Sequence, residues 1–518
     1  MTRKFNVLQI GNKNYMNNFE HLTDVAWDFF DAQLLNQDAF NLESVKLFLD
    51  ERKYYDFVLV QTAYSQNLIK VLEFITYPFN TYIDDYYWDL KFECASITTQ
   101  KNIRKLLYYG EKDLIERLKF ITFPGQYGDK IYPSHCIIDP NFTGEVLFFG
   151  KSKIKLEGDF GNVLHPIISW KSNLISDANK VVEIRPDFFI EGNIEIEYTF
   201  RVIESGSLDN IIEEIRVSNF DLDKPVLIKG TSQNNYIAVS IKAKGQGSIN
   251  IGPVHKRWSR LDMGQFILGG KKYTDEKRDE FIYYLNPGNM KPPLNVYFSG
   301  YRTAEGFEGY NMMNKFEHPF LLIGDPRVEG GSFYIGSNNF EQAILDTIQK
   351  ALKELNFKAH ELILSGLSMG SYAALYYGVQ LSPTAIIVGK PLVNIGTIAD
   401  NMKLVRPNDF GTALDVLLNQ TGGNSPRDIK KMNNKFWNKL KENSFEKTTF
   451  AISYMENDDY DANAFEALLP ILNKNNAKVI SRGIPGRHND DSPTITNWFV
   501  NFYKIILENE FRGVINEK

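Results

Sequence analysis

The residue best placed to act as a nucleophile is Ser368. It lies in the run Gly366-Leu367-Ser368-Met369-Gly370, between an apolar stretch at 362–364 and a helix-prone stretch at 371–377. A G-x-S-x-G pattern between a strand and a helix is typical of the nucleophile elbow of α/β-hydrolases. The glycines fit this interpretation, because the sharp turn leaves no room for side chains. The helix N-terminus beside the serine would stabilise negative charge that develops in the reaction. The alternative is a chance glycine turn.

A serine nucleophile needs a base, and chain order selects one histidine. The seven histidines are His21, His135, His165, His255, His318, His360 and His488. In this fold the acid and then the histidine follow the serine, and His488 is the histidine that follows Ser368. It ends a loop at 483–488 that comes after an apolar run at 478–481 and precedes a helix predicted to begin near Ser492. A loop histidine in this place can reach the elbow, although it also fits an ordinary surface position.

The acid is predicted within a group of carboxylates that follows another strand. Residues 448–454 are rich in β-branched and aromatic side chains and predict that strand. Asp458 is the favoured acid because it lies clear of the strand in the following turn, and Glu456 and Asp459 are alternatives. The acid should accept the imidazole N–H and fix the histidine tautomer. The same group also fits a solvated loop that caps the next helix.

An oxyanion hole requires two N–H donors near the serine. One is predicted to be the backbone amide of Met369, directly after the nucleophile. The second is predicted to be the backbone amide of Tyr301, since a buried strand at 294–298 runs into Ser299-Gly300-Tyr301 and Gly300 permits a bend. A simple turn is the competing interpretation of Gly300.

The whole chain limits the scaffold that can carry these residues. Its 518 residues are too many for one core and predict three domains, at 1–135, 136–285 and 286–518. The net charge of −6 gives no electrostatic reason to bind nucleic acid. Two cysteines, no signal-peptide pattern and no apolar stretch of membrane-spanning length predict a soluble protein of the cytosol.

The three segments differ in pattern. Residues 1–135 alternate strand and helix signals, with strands expected at 5–10 and 57–60 and a helix at 42–51, which predicts a small α/β domain. Residues 136–285 hold short strand-like runs separated by glycine and Asp/Asn turns, which predicts a carbohydrate-binding-like β-sandwich. Residues 286–518 return to strand–helix alternation, with Asn339 expected to cap a helix, and predict an α/β-hydrolase-like catalytic domain.

Two further runs could contact ligands. Aromatic and acidic side chains alternate over residues 82–89, a pattern that fits stacking on sugars but also a half-buried structural segment. Residues 255–260 mix cationic and aromatic side chains and are interpreted as a decorated sheet edge. The two cysteines are not paired in the sequence as zinc ligands would be, and the sequence contains no H-E-x-x-H motif. It therefore gives no indication of a metal site.

The elbow, the acid turn and the histidine loop together resemble the second accessory protein of the accessory Sec system, which exports serine-rich-repeat adhesins from Gram-positive bacteria. The motifs that carry the resemblance are residues 366–370, residues 454–461 and Arg487-His488, and it covers nearly the full chain. It implies an O-acetyltransferase of α/β-hydrolase type that modifies N-acetylglucosamine on the adhesin's glycans, with Ser368, Asp458 and His488 as triad. Since members can carry glutamate as the acid, Glu456 stays open.

The resemblance also implies partners and a location. The partners are the glycosylated serine-rich-repeat adhesin, other accessory Sec proteins and the dedicated motor ATPase, and the location is cytoplasmic, with peripheral contact at the inner face of the membrane. No bound cofactor is expected, and the acyl donor is unidentified because no Gly-rich phosphate loop marks a nucleotide site; acetyl-CoA is one candidate. A carbohydrate esterase or deacetylase with the same groups, or a non-catalytic adaptor, are the alternatives.

Overall fold

The computed structural model describes residues 3–36, 40–49, 54–207, 209–404 and 410–511. Within these ranges the chain forms two compact units. The first contains the residues up to Gln126 together with Asn179–Val181 and Trp258–Gly270. The second contains Tyr127–Ala178, Val182–Arg257 and the residues from Lys271 onward.

The first unit is a parallel sheet covered by helices on both faces. Its strands are β1 (Phe5–Gly11), β2 (Val25–Asp31), β3 (Phe57–Gln61), β4 (Thr81–Asp84) and β5 (Arg104–Leu106), and its helices are α1 (Leu42–Leu49), α2 (Gln66–Ile75), α3 (Leu90–Cys94), α4 (Ser96–Lys101) and α5 (Gly110–Ile121). The strand order is β2-β1-β3-β4-β5, with every neighbouring pair parallel. Successive side chains of β1 enter different cores, Leu8 with α2 and Val7 with α5. The expected strands and helix are present, and positions 50–51 of that helix lie outside the described residues.

The middle of the chain is a ten-stranded sheet assembly. Its strands are β6 (Gly128–Ile131), β7 (Cys136–Ile138), β8 (Glu145–Phe149), β9 (Lys153–Asp159), β10 (His165–Trp170), β11 (Leu174–Ser176), β12 (Val181–Ile203), β13 (Ile211–Ser218), β14 (Val226–Lys229) and β15 (Asn235–Trp258). The first half of β15 pairs with β10 and β11, and the second half pairs with β9 and β6, all antiparallel. One bent strand therefore serves both parts of the β-sandwich.

The glycines of these long strands act differently from the sequence prediction. The sequence predicts short strands separated by glycine and Asp/Asn turns, but Gly245 and Gly247 lie inside β15, and Gly192 lies inside β12. All three have positive φ, at 103°, 144° and 103° respectively. A Cβ on Gly247 would lie 2.1 Å from the Glu191 carbonyl oxygen. The glycines thus allow two continuous strands, of 23 and 24 residues, to approach closely and bend, so the prediction of short strands is wrong here.

The last region carries an eight-stranded sheet. Its strands are β16 (Lys271–Thr274), β17 (Glu280–Asn286), β18 (Leu294–Phe298), β19 (Phe320–Gly324), β20 (Leu362–Leu367), β21 (Ala385–Gly389), β22 (Thr449–Met455) and β23 (Lys478–Ile484), and its helices are α6 (Tyr310–Asn314), α7 (Asn338–Glu354), α8 (Met369–Leu381), α9 (Ile395–Leu404), α10 (Thr412–Thr421), α11 (Pro426–Glu442), α12 (Ala464–Lys474) and α13 (Ser492–Glu510). The strand order is β16-β17-β19-β18-β20-β21-β22-β23. From β19 to β23 the neighbouring strands are parallel. Their carboxyl ends therefore meet at one edge of the sheet.

This topology, with a serine at the turn from β20 into α8, is that of an α/β-hydrolase. The predicted fold class is confirmed: an α/β chain with an α/β-hydrolase-like C-terminal region, a middle β-sandwich and a small N-terminal α/β region. The three sheets follow one another along the chain in the predicted order, and the domain boundaries stay predictions. Among the described residues, no helix combines the length and apolarity needed to cross a membrane.

Two helix caps differ from expectation by one or two residues. The N-cap of α7 is Ser337, whose hydroxyl accepts a hydrogen bond from the backbone N–H of Phe340, and not Asn339. The N-cap of α13 is Asp491, whose carboxylate accepts from the backbone N–H of Thr494, with Ser492 already inside the helix. Each pair of neighbouring polar residues offers two capping groups, and local backbone geometry decides between them.

Candidate active site

Ser368 lies at a strained turn. It directly follows β20 and precedes α8, and its backbone angles are φ 52° and ψ −118°. Such a positive φ is unfavourable for a residue with a side chain and is held only where the surroundings enforce it. Here the Ser368 N–H donates to the Gly389 carbonyl at 2.8 Å, which ties the turn to the end of β21. The strained conformation indicates that Ser368 is a functional residue.

The two flanking glycines are required by close packing. A Cβ on Gly366 would lie 2.2 Å from the Gly370 carbonyl oxygen. A Cβ on Gly370 would lie 2.2 Å from the Phe298 carbonyl oxygen, at the end of β18. Any larger residue at either position would force apart the strand, the helix and the neighbouring strand. The crowding expected from the G-x-S-x-G pattern is therefore present.

The three residues selected from the sequence form one hydrogen-bonded chain. Ser368 Oγ lies 2.8 Å from His488 Nε2, and His488 Nδ1 lies 2.7 Å from Asp458 Oδ2. Because an ionised carboxylate can only accept, Nδ1 carries the proton and donates to Asp458. Nε2 is then free to accept the Ser368 hydroxyl proton. This is the arrangement of a serine, its general base and an orienting acid.

The structure also separates the candidate acids. Asp458 is buried against His488, whereas Glu456 is exposed, with its carboxylate beside Gly483. Asp459 contacts the histidine differently: its Oδ1 accepts a hydrogen bond from the His488 backbone N–H at 3.0 Å. Asp461 accepts from the backbone N–H groups of Val393 and Asn394, at 2.7 and 2.8 Å. Asp458 thus orients the imidazole, Asp459 fixes the loop that carries His488, and Asp461 fixes the loop after β21.

Electrostatics keep Asp458 ionised. Burial on its own raises the pKa of a carboxyl, but the hydrogen bond and charge of His488 and the backbone N–H groups of Tyr460 and Asp461 outweigh it. The pKa of Asp458 is therefore lowered. Those two amides donate to Oδ1, at 2.9 and 3.2 Å, which leaves Oδ2 for the histidine. A charged carboxylate in this position stabilises an imidazolium when His488 takes a proton.

A row of aromatic rings adjoins the histidine, and sequence reasoning missed it. The Tyr460 ring stacks on the His488 imidazole, with centroids 4.5 Å apart and an interplanar angle of 20°. Phe410 stacks on Tyr460 at 5.3 Å, and Tyr301 packs edge-on against Phe410 at 5.2 Å. Tyr301 is 40% exposed, so the row extends from His488 to solvent. Tyr460 adjoins the acid group in sequence and offered the one local signal; the others come from distant loops.

The predicted oxyanion donors lie on the two elements expected to carry them. Met369 is the first residue of α8, and its amide therefore lies outside the helix hydrogen-bond ladder. Tyr301 follows β18 by three residues, and the preceding amide, that of Gly300, donates to Glu308 Oε2 at 2.8 Å. A Cβ on Gly300 would lie 3.1 Å from the Leu367 carbonyl oxygen, so this loop passes beside the elbow. The roles of the Met369 and Tyr301 amides stay predictions.

A second buried histidine belongs to a different kind of cluster. Ligand atoms of His255, Glu280 and Glu305 lie within 4.8 Å of one another, a spacing that could suit a metal ion. However, Arg257 donates to both glutamates, and Lys130 lies 3.1 Å from Glu305. Burial on its own would raise the pKa of Glu305. The charges of Arg257, His255 and Lys130 outweigh that effect and hold the pKa of Glu305 well below its usual range. The carboxylates are already neutralised, so the cluster is an internal ion-pair network and fits a metal poorly.

This burial corrects the interpretation of the run at 255–260. His255, Lys256 and Arg257 are at most 1% exposed, whereas the sequence suggested a decorated sheet edge. Their acidic partners, Glu305 and Asp187, lie 50 and 68 positions away from His255 along the chain. No local pattern could have identified them.

Comparisons with known proteins agree with one another. A family model described as the accessory Sec system GspB-transporter matches residues 5–513. The chain is 52% identical over 514 residues to an accessory Sec system protein of Staphylococcus aureus, covering 99% of this chain and 98% of the relative. It is 41% identical over 399 residues to an accessory Sec system protein of Streptococcus gordonii, covering 77% and 78%. A solved chain of the Glycosylation Associate Protein (Gap123) complex from Streptococcus agalactiae is similar, with 36% identity, a TM-score of 0.86 and 99% coverage of both chains.

Proposed function

The chain belongs to the accessory Sec system GspB-transporter family, and we propose that within that system it is a serine-dependent acyltransferase. The proposed reaction is O-acetylation of N-acetylglucosamine on the glycans of serine-rich-repeat adhesins, alongside a role in their export. The observation that carries the chemistry is the hydrogen-bonded chain from Ser368 through His488 to Asp458, with the serine held in a left-handed conformation. Family membership supports the export role.

In the first half-reaction the enzyme is acylated. His488 Nε2 takes the Ser368 hydroxyl proton while Oγ attacks the carbonyl carbon of the acyl donor, and the carbonyl electrons move to oxygen. The Met369 and Tyr301 amides are proposed to hold this oxyanion; loss of one such donor costs roughly 10²–10³-fold in rate. The tetrahedral intermediate then collapses, the bond to the donor's leaving group breaks, and the leaving group takes the proton from His488. Asp458 stabilises the imidazolium while it exists.

In the second half-reaction a sugar hydroxyl replaces the leaving group. His488 removes the hydroxyl proton, the sugar oxygen attacks the acetyl carbon, and the Ser368 oxygen leaves and recovers its proton from His488. If water attacked instead, the same groups would make an esterase. The exposed end of the row of Tyr301, Phe410 and Tyr460 supports a sugar acceptor, because aromatic faces pack against the C–H faces of sugars and displace water there.

Partners follow from the family. The Gap123 chain, similar to this one over its whole length, belongs to a complex, and we propose that this chain likewise assembles with other accessory Sec proteins. The adhesin is the proposed glycan-bearing substrate, and the dedicated motor ATPase is the proposed acceptor of the complex at the inner face of the membrane. Acetyl-CoA is the proposed first donor to test. Since catalysis and assembly are separate properties in this proposal, a variant can lose acyl transfer and still assemble with the other accessory Sec proteins.

Ser368→Ala tests the acyltransferase role, with Ser444→Ala at an exposed serine as the matched control. Mass spectrometry of the adhesin glycans should show acetyl groups lost in the Ser368→Ala strain and kept in the control. Glycans that keep their acetyl groups in the Ser368→Ala strain would show the assignment to be wrong. A parallel secretion assay separates the roles: export that persists without acetylation makes the adaptor role independent of the triad.

The purified protein distinguishes transfer from hydrolysis. It is given acetyl-CoA or p-nitrophenyl acetate as donor and N-acetylglucosamine as acceptor. Acetylated sugar should form with either donor and should disappear in Ser368→Ala. Free acetate formed at the same rate with and without the sugar, and no acetylated sugar, would instead identify an esterase.

A further inference from the structure

The parallel sheet of the first unit has the strand order at which doubly wound folds bind ligands. The chain runs from β1 to β2 on one side and then returns to β3 on the other side of β1. In sheets of this order, β2-β1-β3-β4-β5, the crossovers leave a crevice at the carboxyl ends of β1 and β3. Ligands of such folds bind in that crevice.

A cavity of about 480 Å³ lies at this place. Its lining comes from the carboxyl ends of four strands: Asn12 follows β1, Gln61 ends β3, Asp84 ends β4, and Tyr108 lies two residues beyond β5. We call this cavity the switch-point pocket. Its size is that of a small-molecule site. All the lining residues belong to the first unit, so the cavity is separate from the acyl-transfer chemistry proposed for Ser368.

The floor of the switch-point pocket is a network of polar side chains. The Gln9 amide donates to Gln61 Oε1 at 2.8 Å, and the Gln61 amide donates to Asp84 Oδ2 and to the Tyr108 hydroxyl, at 3.3 and 3.2 Å. The Tyr108 hydroxyl in turn donates to Asp84. Gln9 is fully buried, and Gln61 and Asp84 are at most 9% exposed. These groups satisfy one another's hydrogen bonds, so the network is stable in the absence of a ligand. It leaves polar side chains where apolar residues would close a sheet end, and a ligand-binding role explains that choice of residues.

Aromatic rings form the sides. Tyr15 and Tyr87 line the cavity, and Tyr86 stands at its rim with 85% of its surface exposed. The rings of Tyr86 and Tyr87 meet edge-to-face, with centroids 4.9 Å apart. The Tyr86 backbone N–H donates to Asp84 Oδ1 at 3.0 Å, so the aromatic rim is fixed to the polar floor. A large exposed ring beside a polar crevice is suited to stack on a ligand.

The charges around the cavity exclude an anionic ligand. Asp84 and Asp85 both line it, and the cation on the lining, Lys13, pairs with Glu111. The Lys105 ammonium lies 3.0 Å from Asp85 and is likewise neutralised. The loop after β1 is Asn12-Lys13-Asn14, without the glycines that let backbone N–H groups cradle a phosphate. A nucleotide is therefore unfavourable here.

We propose that the switch-point pocket binds a neutral saccharide, such as a hexose or an N-acetylhexosamine. Carboxylate and amide side chains accept from and donate to sugar hydroxyls, and a tyrosine face covers the sugar's C–H face. This accounts for the mixed aromatic and acidic run at 82–89, which the triad does not use.

The test is saturation-transfer NMR on the full chain with N-acetylglucosamine and with glucose, without any acyl donor. Tyr86→Ala removes the exposed ring, and Asn12→Ala removes an exposed polar group; neither side chain is part of a core. Tyr109→Ala is the matched control, since Tyr109 is 98% exposed in the same unit and does not line the cavity. Tyr86→Ala is expected to weaken binding of at least one sugar roughly tenfold, and Tyr109→Ala to leave it unchanged.

Three results would overturn the proposal. The first is the absence of a signal from either sugar with the unaltered chain. The second is a glucose signal that survives both Tyr86→Ala and Asn12→Ala, which would place the sugar elsewhere. Glucose is used for this criterion because N-acetylglucosamine is also the proposed acceptor at Ser368. The third is competition by inorganic phosphate or AMP with the sugar at equal concentration, which would show an anion site. Loss of Ser368 activity has no bearing on any of these readouts, so this proposal and the acyltransferase proposal fail independently.

Discussion

Two buried histidines occupy opposite chemical situations in this chain. His488 is 1% exposed and His255 is fully buried, and each has Nδ1 within hydrogen-bond distance of a carboxylate, 2.7 Å from Asp458 and 2.6 Å from Glu305. The difference lies at Nε2, which meets the Ser368 hydroxyl in one case and the Asp187 carboxylate, at 3.0 Å, in the other. A histidine between a carboxylate and a hydroxyl can pass a proton on. A histidine between two carboxylates holds its proton as part of an ion pair.

Position in the fold explains the contrast. His488 lies in a loop beyond β23, at the edge where parallel strands end, and the aromatic row of Tyr460, Phe410 and Tyr301 connects it with solvent. His255 lies inside the long strand β15, with Arg257 two residues on and also fully buried. The first place permits a substrate to approach. The second buries charges that stabilise the native state only while all of them are present.

The largest expected effect is on catalysis, through Asp458→Asn. An amide in place of the carboxylate can donate to His488 Nδ1 and favours the wrong tautomer, so acyl transfer should fall about 10⁴-fold. Initial rates with p-nitrophenyl acetate measure this. Glu456→Gln, at an exposed carboxylate of the same turn, should leave the rate unchanged. A greater loss from Glu456→Gln than from Asp458→Asn would reverse the assignment of the acid.

The sequence predicted the active-site half of this comparison and missed the other half. Ser368, Asp458 and His488 follow β20, β22 and β23 in a fixed order, so pattern and chain order were enough to select them as candidates. The choice of Asp458 over Glu456 depends on the path of one turn, which composition does not specify. His255 was misjudged because its partners lie on distant strands and loops, and cationic residues in a strand are usually exposed. The length of β15 was missed for a similar reason: the strand that passes close to Gly245 and Gly247 is far away in sequence.

A smaller but global effect is expected from Arg257→Met. This change leaves Glu305 buried without its main cation and leaves Glu280 with Arg185 alone, which should lower the free energy of unfolding by roughly 3–5 kcal/mol. Urea unfolding measures it. Arg216→Met breaks a solvent-screened pair with Glu214 and should lower the free energy of unfolding far less than Arg257→Met does. The rate of acyl transfer per folded molecule should be unchanged in both variants. A rate that falls while stability is kept would mean that the cluster takes part in the chemistry.

The smallest effect is a pH dependence of stability that belongs to His255. Burial on its own lowers the pKa of a histidine, but the charges and hydrogen bonds of Glu305 and Asp187 outweigh it, and the pKa of His255 is raised. The folded state therefore binds this proton more tightly than the unfolded state does. The resulting stability is fully present below the unfolded pKa of about 6.5 and is lost as the pH rises through the folded value.

His255→Gln keeps a hydrogen-bonding side chain of similar size but removes the charge. Its deficit in unfolding free energy relative to the unaltered chain should be largest near pH 6 and should shrink towards pH 9. The comparison must be made between the two proteins at each pH, because the titrating groups that do not interact with His255 then cancel. A deficit that is constant over this range would mean that folding leaves the pKa of His255 unchanged, and a deficit that grows with pH would mean that His255 is neutral in the folded chain. In the second case the two histidines would differ mainly in their access to substrate.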